Sequence, residues 1–172
     1  MALIKRGSGP ALEQLYNQTK KAVFSVCYSY LKNYPLAEDL SQDTYVCVKK
    51  YIGHYMDNTK PLAWILTIAK NLCLNEIKKR GREVFVDFSE RPDLIPDCTE
   101  LKIKDETGII RLAEKILDGN EFKIVMTHAV GGVRLKEIAD LLASPEGTVR
   151  WQYNNALKKL KKIIDKEGCK DE

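Results

Sequence analysis

Apolar residues recur at helical spacing through most of this chain, and that periodicity leaves few folds open. Leu12, Leu15, Tyr16, Val23, Cys27, Tyr30 and Leu31 mark a helix over residues 10–33. Asn33-Tyr34-Pro35 interrupts it, because the residue before proline is pushed away from helical geometry. A second helix is expected from Leu36 to Ile52, ended by Gly53. A third runs from Pro61, a residue suited to a first turn, to Lys79, with Gly81 closing it. Four more helices follow, over 108–117, 121–129, 135–142 and 145–164. Asp118-Gly119-Asn120 and Gly131-Gly132 separate them. The expectation is an all-α chain of two small helical domains.

The stretch between the two helical blocks is of another kind. Residues 83–107 hold Pro92 and Pro96, a strand-like scrap at Val84–Phe88, and eight acids against three bases. This reads as an acidic linker between domains 1–82 and 108–172. Residues 1–82 carry 13 bases and 6 acids, and residues 107–172 carry 12 and 10. The net charge of +4 is thus a sum of a strongly basic half, an acidic tether and a nearly neutral half.

Several classes are excluded at this stage. No apolar run approaches the length of a membrane span. Met1–Gly7 lacks the apolar core of a secretion signal. Cys27, Cys47, Cys73, Cys98 and Cys169 are odd in number and widely spaced, which points to free thiols in a reducing cytosol and to no metal site. His54 and His128 stand far apart in sequence without ligand partners. No catalytic triad, phosphate loop or nucleophile elbow is present, so neither an enzyme nor a bound cofactor is expected.

Residues 135–162 carry the most specific pattern. Ile138, Leu141 and Leu142 give a short helix an apolar face, and Ala139 is small enough for a close crossing. Ser144 is a candidate N-cap, Pro145 fits a first turn, and Glu146 suits the positive helix end. The longer helix would bury Val149, Tyr153, Ala156, Leu157 and Leu160, and show Arg150, Trp151, Asn154, Asn155 and Lys158. A short helix, a tight turn and a longer helix with base-reading side chains is a helix-turn-helix. Arginine pairs with guanine and asparagine with adenine, while lysine meets phosphate.

Leu135-Lys136-Glu137-Ile138-Ala139 followed by Ser144-Pro145-Glu146-Gly147-Thr148-Val149-Arg150 resembles promoter-binding region 4 of the bacterial sigma-70 family. Ala37-Glu38-Asp39-Leu40-Ser41-Gln42-Asp43 resembles the region 2 signature of the same family. Trp64-Ile65-Leu66-Thr67-Ile68-Ala69-Lys70-Asn71, with the basic run after it, resembles the segment that reads the −10 promoter element. Region 2 runs into region 4 through one linker, as in the extracytoplasmic-function group.

The resemblance implies a specificity subunit that binds core RNA polymerase and directs strand opening at promoters. It implies polymerase contacts at Asp39, Leu40, Gln42, Asp43 and Val46. It implies −10 contacts at Lys60, Trp64, Thr67, Asn71, Asn75, Lys78, Lys79, Arg80 and Arg82, with a base pocket in the loop Tyr55–Thr59. It implies duplex −35 contacts at Arg134, Lys136, Gly147, Thr148, Arg150, Trp151, Asn154, Asn155 and Lys158. An anti-sigma factor is the implied regulator, the cytoplasm the implied location, and no small-molecule substrate is implied. Asn154-Asn155 stand where the family commonly has basic residues, so region 4 alone is expected to be a weak binder. The competing reading is a stand-alone helix-turn-helix repressor with an N-terminal sensing or dimerisation domain.

Overall fold

The computed structural model describes residues 1–57, 59–86 and 108–167, without the side chains of 82–86 and 166–167. The expected linker over 83–107 therefore falls, from residue 87 onward, outside the described residues. Among the described residues there is no strand. The chain divides into two compact units, Met1–Ile103 and Lys104–Glu172.

In the first unit a short turn, α1 (Ala2–Lys5), precedes the long helix α2 (Gly9–Leu31). Ser8 caps α2 by accepting from the Ala11 amide, and Lys32 ends it in the left-handed region at φ 50°. Asn33 then caps α3 (Tyr34–Tyr51) by accepting from the Leu36 amide at 3.0 Å. The break after α2 is thus made by Lys32 and Asn33. Pro35 is accommodated in the first turn of α3, where its missing amide is not needed, and the helix starts two residues before the expected Leu36. A 3-10 turn over Ile52–His54 follows α3, then a loop, then α4 (Pro61–Val86).

Two expectations about glycine are corrected here. Gly53 lies inside the 3-10 turn and not at a left-handed cap. Gly81 does not close α4, which continues through Val84 and Phe85 to Val86. Glycine ends a helix when the chain needs positive φ; inside one it only costs about 1 kcal/mol relative to alanine.

Helix α2 packs on both α3 and α4, which also touch each other. Val23, Val26, Cys27 and Tyr28 of α2 are buried against Ala37, Leu40, Thr44 and Val48 of α3 and Ile65, Leu66, Ala69 and Cys73 of α4. Each large apolar side chain so buried contributes about 1.5–3 kcal/mol. Thr19 and the Tyr45 hydroxyl are 2.9 Å apart, and burial pushes the Tyr45 phenol up to about 12. Cys27 and Cys73 are free and buried, in the role of small hydrophobes; the hydrogen bond with Cys27, together with burial, pushes the Cys73 thiol up.

The second unit holds α5 (Ile109–Ile116), α6 (Gly119–Val125), a π-type turn over Met126–Val130, α7 (Leu135–Leu142) and α8 (Glu146–Glu167). Asp118 caps α6, with Glu121 completing a capping box. Phe122, Ile124, Met126, Val133, Ile138, Val149 and Ala156 form the core. Ala139 is buried, as its size suggested, whereas Leu157 is turned outward. Ala143 ends α7 at φ 52°, and the Ser144 amide bonds back to the Ala139 carbonyl at 3.0 Å. The Ser144 hydroxyl donates to the Leu142 carbonyl, so Ser144 closes α7 and does not cap α8.

Truncating Phe122 to alanine removes the largest apolar side chain of the second core, a change worth about 3–5 kcal/mol. Urea unfolding followed by circular dichroism is expected to show the second unit lost at a much lower midpoint than in the parent protein.

Candidate nucleic-acid and polymerase interface

On α3 the helical repeat brings Asp39, Gln42, Asp43 and Val46 to one exposed face. Val46 keeps 65% of its surface, although it is an aliphatic residue in the middle of a packed helix. Leu40, which the helical repeat sets on the core side and the resemblance assigns to polymerase contact, is packed in the bundle core beneath this face.

Thr67, Asn71, Asn75 and Lys78 lie along an exposed face of α4, with Lys79 and Arg80 beside them. The span from Thr67 to Lys78 is about 16 Å by helical rise. Thr67 donates its hydroxyl to the Ala63 carbonyl at 2.8 Å, and Arg80 pairs with Glu76 at 2.8 Å. Lys60 is exposed just before the helix, and the Arg82 side chain lies outside the described residues. Trp64 is half-buried: it packs against a small core of Ile4, Ile52 and Tyr55, meeting the Tyr55 ring edge-on at 5.2 Å. Its ring is a floor beneath the preceding loop more than a free stacking surface.

That loop is tightly closed. The Tyr55 hydroxyl donates to the Thr59 carbonyl, and both the amide and the hydroxyl of Thr59 donate to the Met56 carbonyl, at 3.0 and 2.8 Å. Met56 is left at the tip with 74% of its surface exposed. Asn58 lies outside the described residues. The resemblance places Met56 within the expected pocket loop, but its exposure at the tip has no periodic signal in the sequence.

In the second unit, α7, the turn through Ala143 and Ser144, and α8 form the expected helix-turn-helix. Gly147, Thr148, Arg150, Trp151, Asn154 and Lys158 are exposed on α8, Trp151 at 66%, and Arg134 and Lys136 are exposed at the start of α7. Arg134 pairs with Glu137 at 2.7 Å and Arg150 with Glu146 at 2.8 Å. Both arginines that could read guanine are therefore held by acids of their own helix. His128 adds a brace behind this surface: its Nδ1 lies 2.7 Å from the Val133 carbonyl and its ring meets Tyr153 edge-on.

Asn155 departs from its expected place beside Asn154. It is half-buried, and its amide donates to Glu121 Oε1 at 2.8 Å. Lys159 reaches both oxygens of the same carboxylate at 2.7 Å, and the Asp118 amide adds a fourth bond at 3.2 Å. Glu121 is 2% exposed, so the carboxylate is buried and fully engaged. Asn155 is spent on this tie and is not free for a base edge. A buried glutamate on one helix and its partners 34 and 38 positions later leave no local sequence signal.

Asn155→Ala and Lys159→Ala are each expected to lower the stability of the second unit, by about 1–3 kcal/mol. Lys159 is 40% exposed, so water replaces part of what it supplies. Neither change should alter base preference on duplex DNA, while Asn154→Ala should. Denaturant unfolding and binding to a randomised duplex pool measure the two effects separately.

Residues 15–83 match the sigma-70 region 2 family. Over 174 aligned residues the chain is 23% identical to the extracytoplasmic-function RNA polymerase sigma factor SigW of Bacillus subtilis, covering 94% of this chain and 92% of SigW. It is 24% identical to the RNA polymerase sigma factor CarQ of Myxococcus xanthus, covering 95% of each. The fold is similar to that of the sigma factor RpoE solved with the anti-sigma factor NepR from Bartonella quintana (TM-score 0.65, 21% identity, 89% of this chain and 96% of that one). It is similar to the same degree to CnrH solved with the cytosolic domain of CnrY (TM-score 0.65, 17% identity, 95% and 94%). With sigma-70 region 2 matched over residues 15–83 and relatives aligned across both helical units, the chain carries a sigma-70 region 2 and is similar along its length to sigma factors of the extracytoplasmic-function group.

Proposed function

We propose that this sigma factor uses its three exposed faces in sequence. The α3 face of Asp39, Gln42, Asp43 and Val46 binds core RNA polymerase. The α4 stripe from Lys60 to Arg82 takes the melted −10 strand, with amides for base edges and cations for the backbone. The outer face of α8, flanked by Arg134 and Lys136, enters the major groove of the −35 duplex. The observation that carries the reading furthest is Val46, an aliphatic side chain left exposed one turn after Gln42 and Asp43 and one turn before Lys49 and Lys50, on a helix whose opposite face is closely packed. Such a mixture suits a partner that buries it, since a protein interface sets an apolar core within a polar rim.

Sigma factors are generally non-enzymatic, and in this reading the polymerase performs the chemistry. The protein acts in the cytoplasm with the polymerase; among the described residues no helix is long and apolar enough to cross a membrane. One structural neighbour was solved with an anti-sigma factor and the other with the cytosolic domain of CnrY, and an anti-sigma factor is proposed for this chain as well. The units are joined in the proposal by residues 87–107 as an acidic tether, which at full extension would span roughly 70 Å at most.

Purified protein, core polymerase and a promoter library test the reading in a transcription assay. Specific initiation is expected only with both proteins present. Duplex DNA binding as a dimer, with neither core association nor initiation, would support the repressor alternative and overturn this one. Asp43→Lys should leave folding intact and weaken core binding by about 1 kcal/mol or more, roughly fivefold. Unchanged core affinity would remove α3 from the interface.

A further inference from the structure

We infer that the N-terminal turn α1 is a positioning element for the loop between α3 and α4, with the Lys5–Asp57 pair as its tie. The inference rests on the proposal that this loop and α4 handle the −10 strand. It concerns residues that lie far from both in sequence.

The geometry has three parts. First, α1 is fixed to the body of the first unit. Ile4 is buried with Ile52 and Tyr55, and Met1, Leu12, Leu15 and Trp64 pack around them. Gly7, at φ 83°, turns the chain so that the Gly7 amide bonds the Ile4 carbonyl at 2.9 Å and the Ser8 amide bonds that of Leu3 at 3.0 Å. A side chain at Gly7 would be strained at that φ. Second, the loop is a closed ring, tied by the Tyr55 hydroxyl at Thr59 and by Thr59 at Met56. Third, Lys5 joins the two. Its ammonium lies 3.2 and 3.3 Å from the two Asp57 oxygens and 5.6 Å from the centre of the Tyr55 ring.

A pair this open, with Asp57 69% exposed, adds little to folding. What it does is set the angle of the ring at its far side. Ile52 and Tyr55 anchor one side of the loop through apolar contact, which is non-directional. The charge-assisted bonds from Lys5 are directional, and they fall next to Met56, the exposed tip. Lys5 is therefore assigned the work of presenting Met56 and its neighbours to the strand while Trp64 supports them from beneath.

The test uses the full chain with core polymerase. The parent protein is first assayed on promoters changed one base at a time in the −10 element. Indifference to these changes overturns the −10 reading, and the present inference with it. If the parent discriminates, Lys5→Glu is expected to slow open-complex formation about fivefold, the factor matching the upper end of an exposed pair's coupling. It should also flatten −10 discrimination, with core affinity and unfolding midpoint unchanged. Lys5→Arg should behave as the parent. The reversed pair Lys5→Glu with Asp57→Lys should recover rate and discrimination to within about twofold, as a coupled pair does in a double-mutant cycle. A parent-like rate for Lys5→Glu overturns the inference. So does a loss that the reversed pair fails to recover, which would place Lys5 on the DNA backbone instead.

Discussion

Glu121 is buried beneath the recognition helix, and an unpaired carboxylate there would cost several kcal/mol. Three donors answer it with four bonds: the Lys159 ammonium, at both of its oxygens, the Asn155 amide, and the backbone amide of Asp118 on a longer bond. Two of these side chains come from α8 and sit four residues apart, so they share one face of it. Apolar packing of Val149, Ala156 and Leu160 holds α8 against the core but tolerates a small rotation. The carboxylate does not. By fixing Asn155 and Lys159 inward, it also fixes Arg150, Trp151, Asn154 and Lys158 outward. The DNA-facing set is thereby selected by a contact on the opposite side of the helix.

The first unit reaches the same end by other means. Its three long helices pack through aliphatic, thiol and small polar side chains, and two of the buried hydroxyls, Ser25 and Ser29, are satisfied within their own helix turn. Orientation there comes from the number of buried positions on each helix. Helix α3 buries Ala37, Leu40, Thr44 and Val48, which leaves Gln42, Asp43 and Val46 no inward option. Helix α4 buries Ile65, Leu66, Ala69 and Cys73, and the polar stripe of Thr67, Asn71 and Asn75 is what remains. The functional faces are the complement of the core.

This explains which features were legible in the sequence. Periodicity located every long helix, and α7 fell on its expected bounds, because an apolar stripe is a property of neighbouring residues. The turn between α7 and α8 was legible for the same reason. What escaped depends on partners distant in sequence or on backbone geometry. Asn155 and Asn154 are chemically identical, and only Glu121 on another helix decides that one faces inward. Gly81 carries the residue type of a helix stop, yet the chain asks for no positive φ at that point. α1 is too short for any periodic signal and takes its shape from the cluster around Tyr55.

Charge then decides how the two units share the work. The first 82 residues carry 13 bases against 6 acids, and Thr67 to Arg80 includes a cluster of cations at one end of α4. In the second unit the two arginines nearest the expected groove are each paired with a glutamate. Phosphate affinity scales with the number of cations that replace counterions, and a cation already paired contributes less to that release. Exposed pairs are weak, so DNA can displace the glutamates, but the displaced acids then stand near phosphate. In the proposed function the first unit is then the main electrostatic anchor. The second unit would contribute shape and base contacts, through Trp151 and Asn154, once another contact has brought it to the duplex. A recognition helix of this kind suits a subunit delivered by a larger enzyme better than a repressor that must find its operator alone.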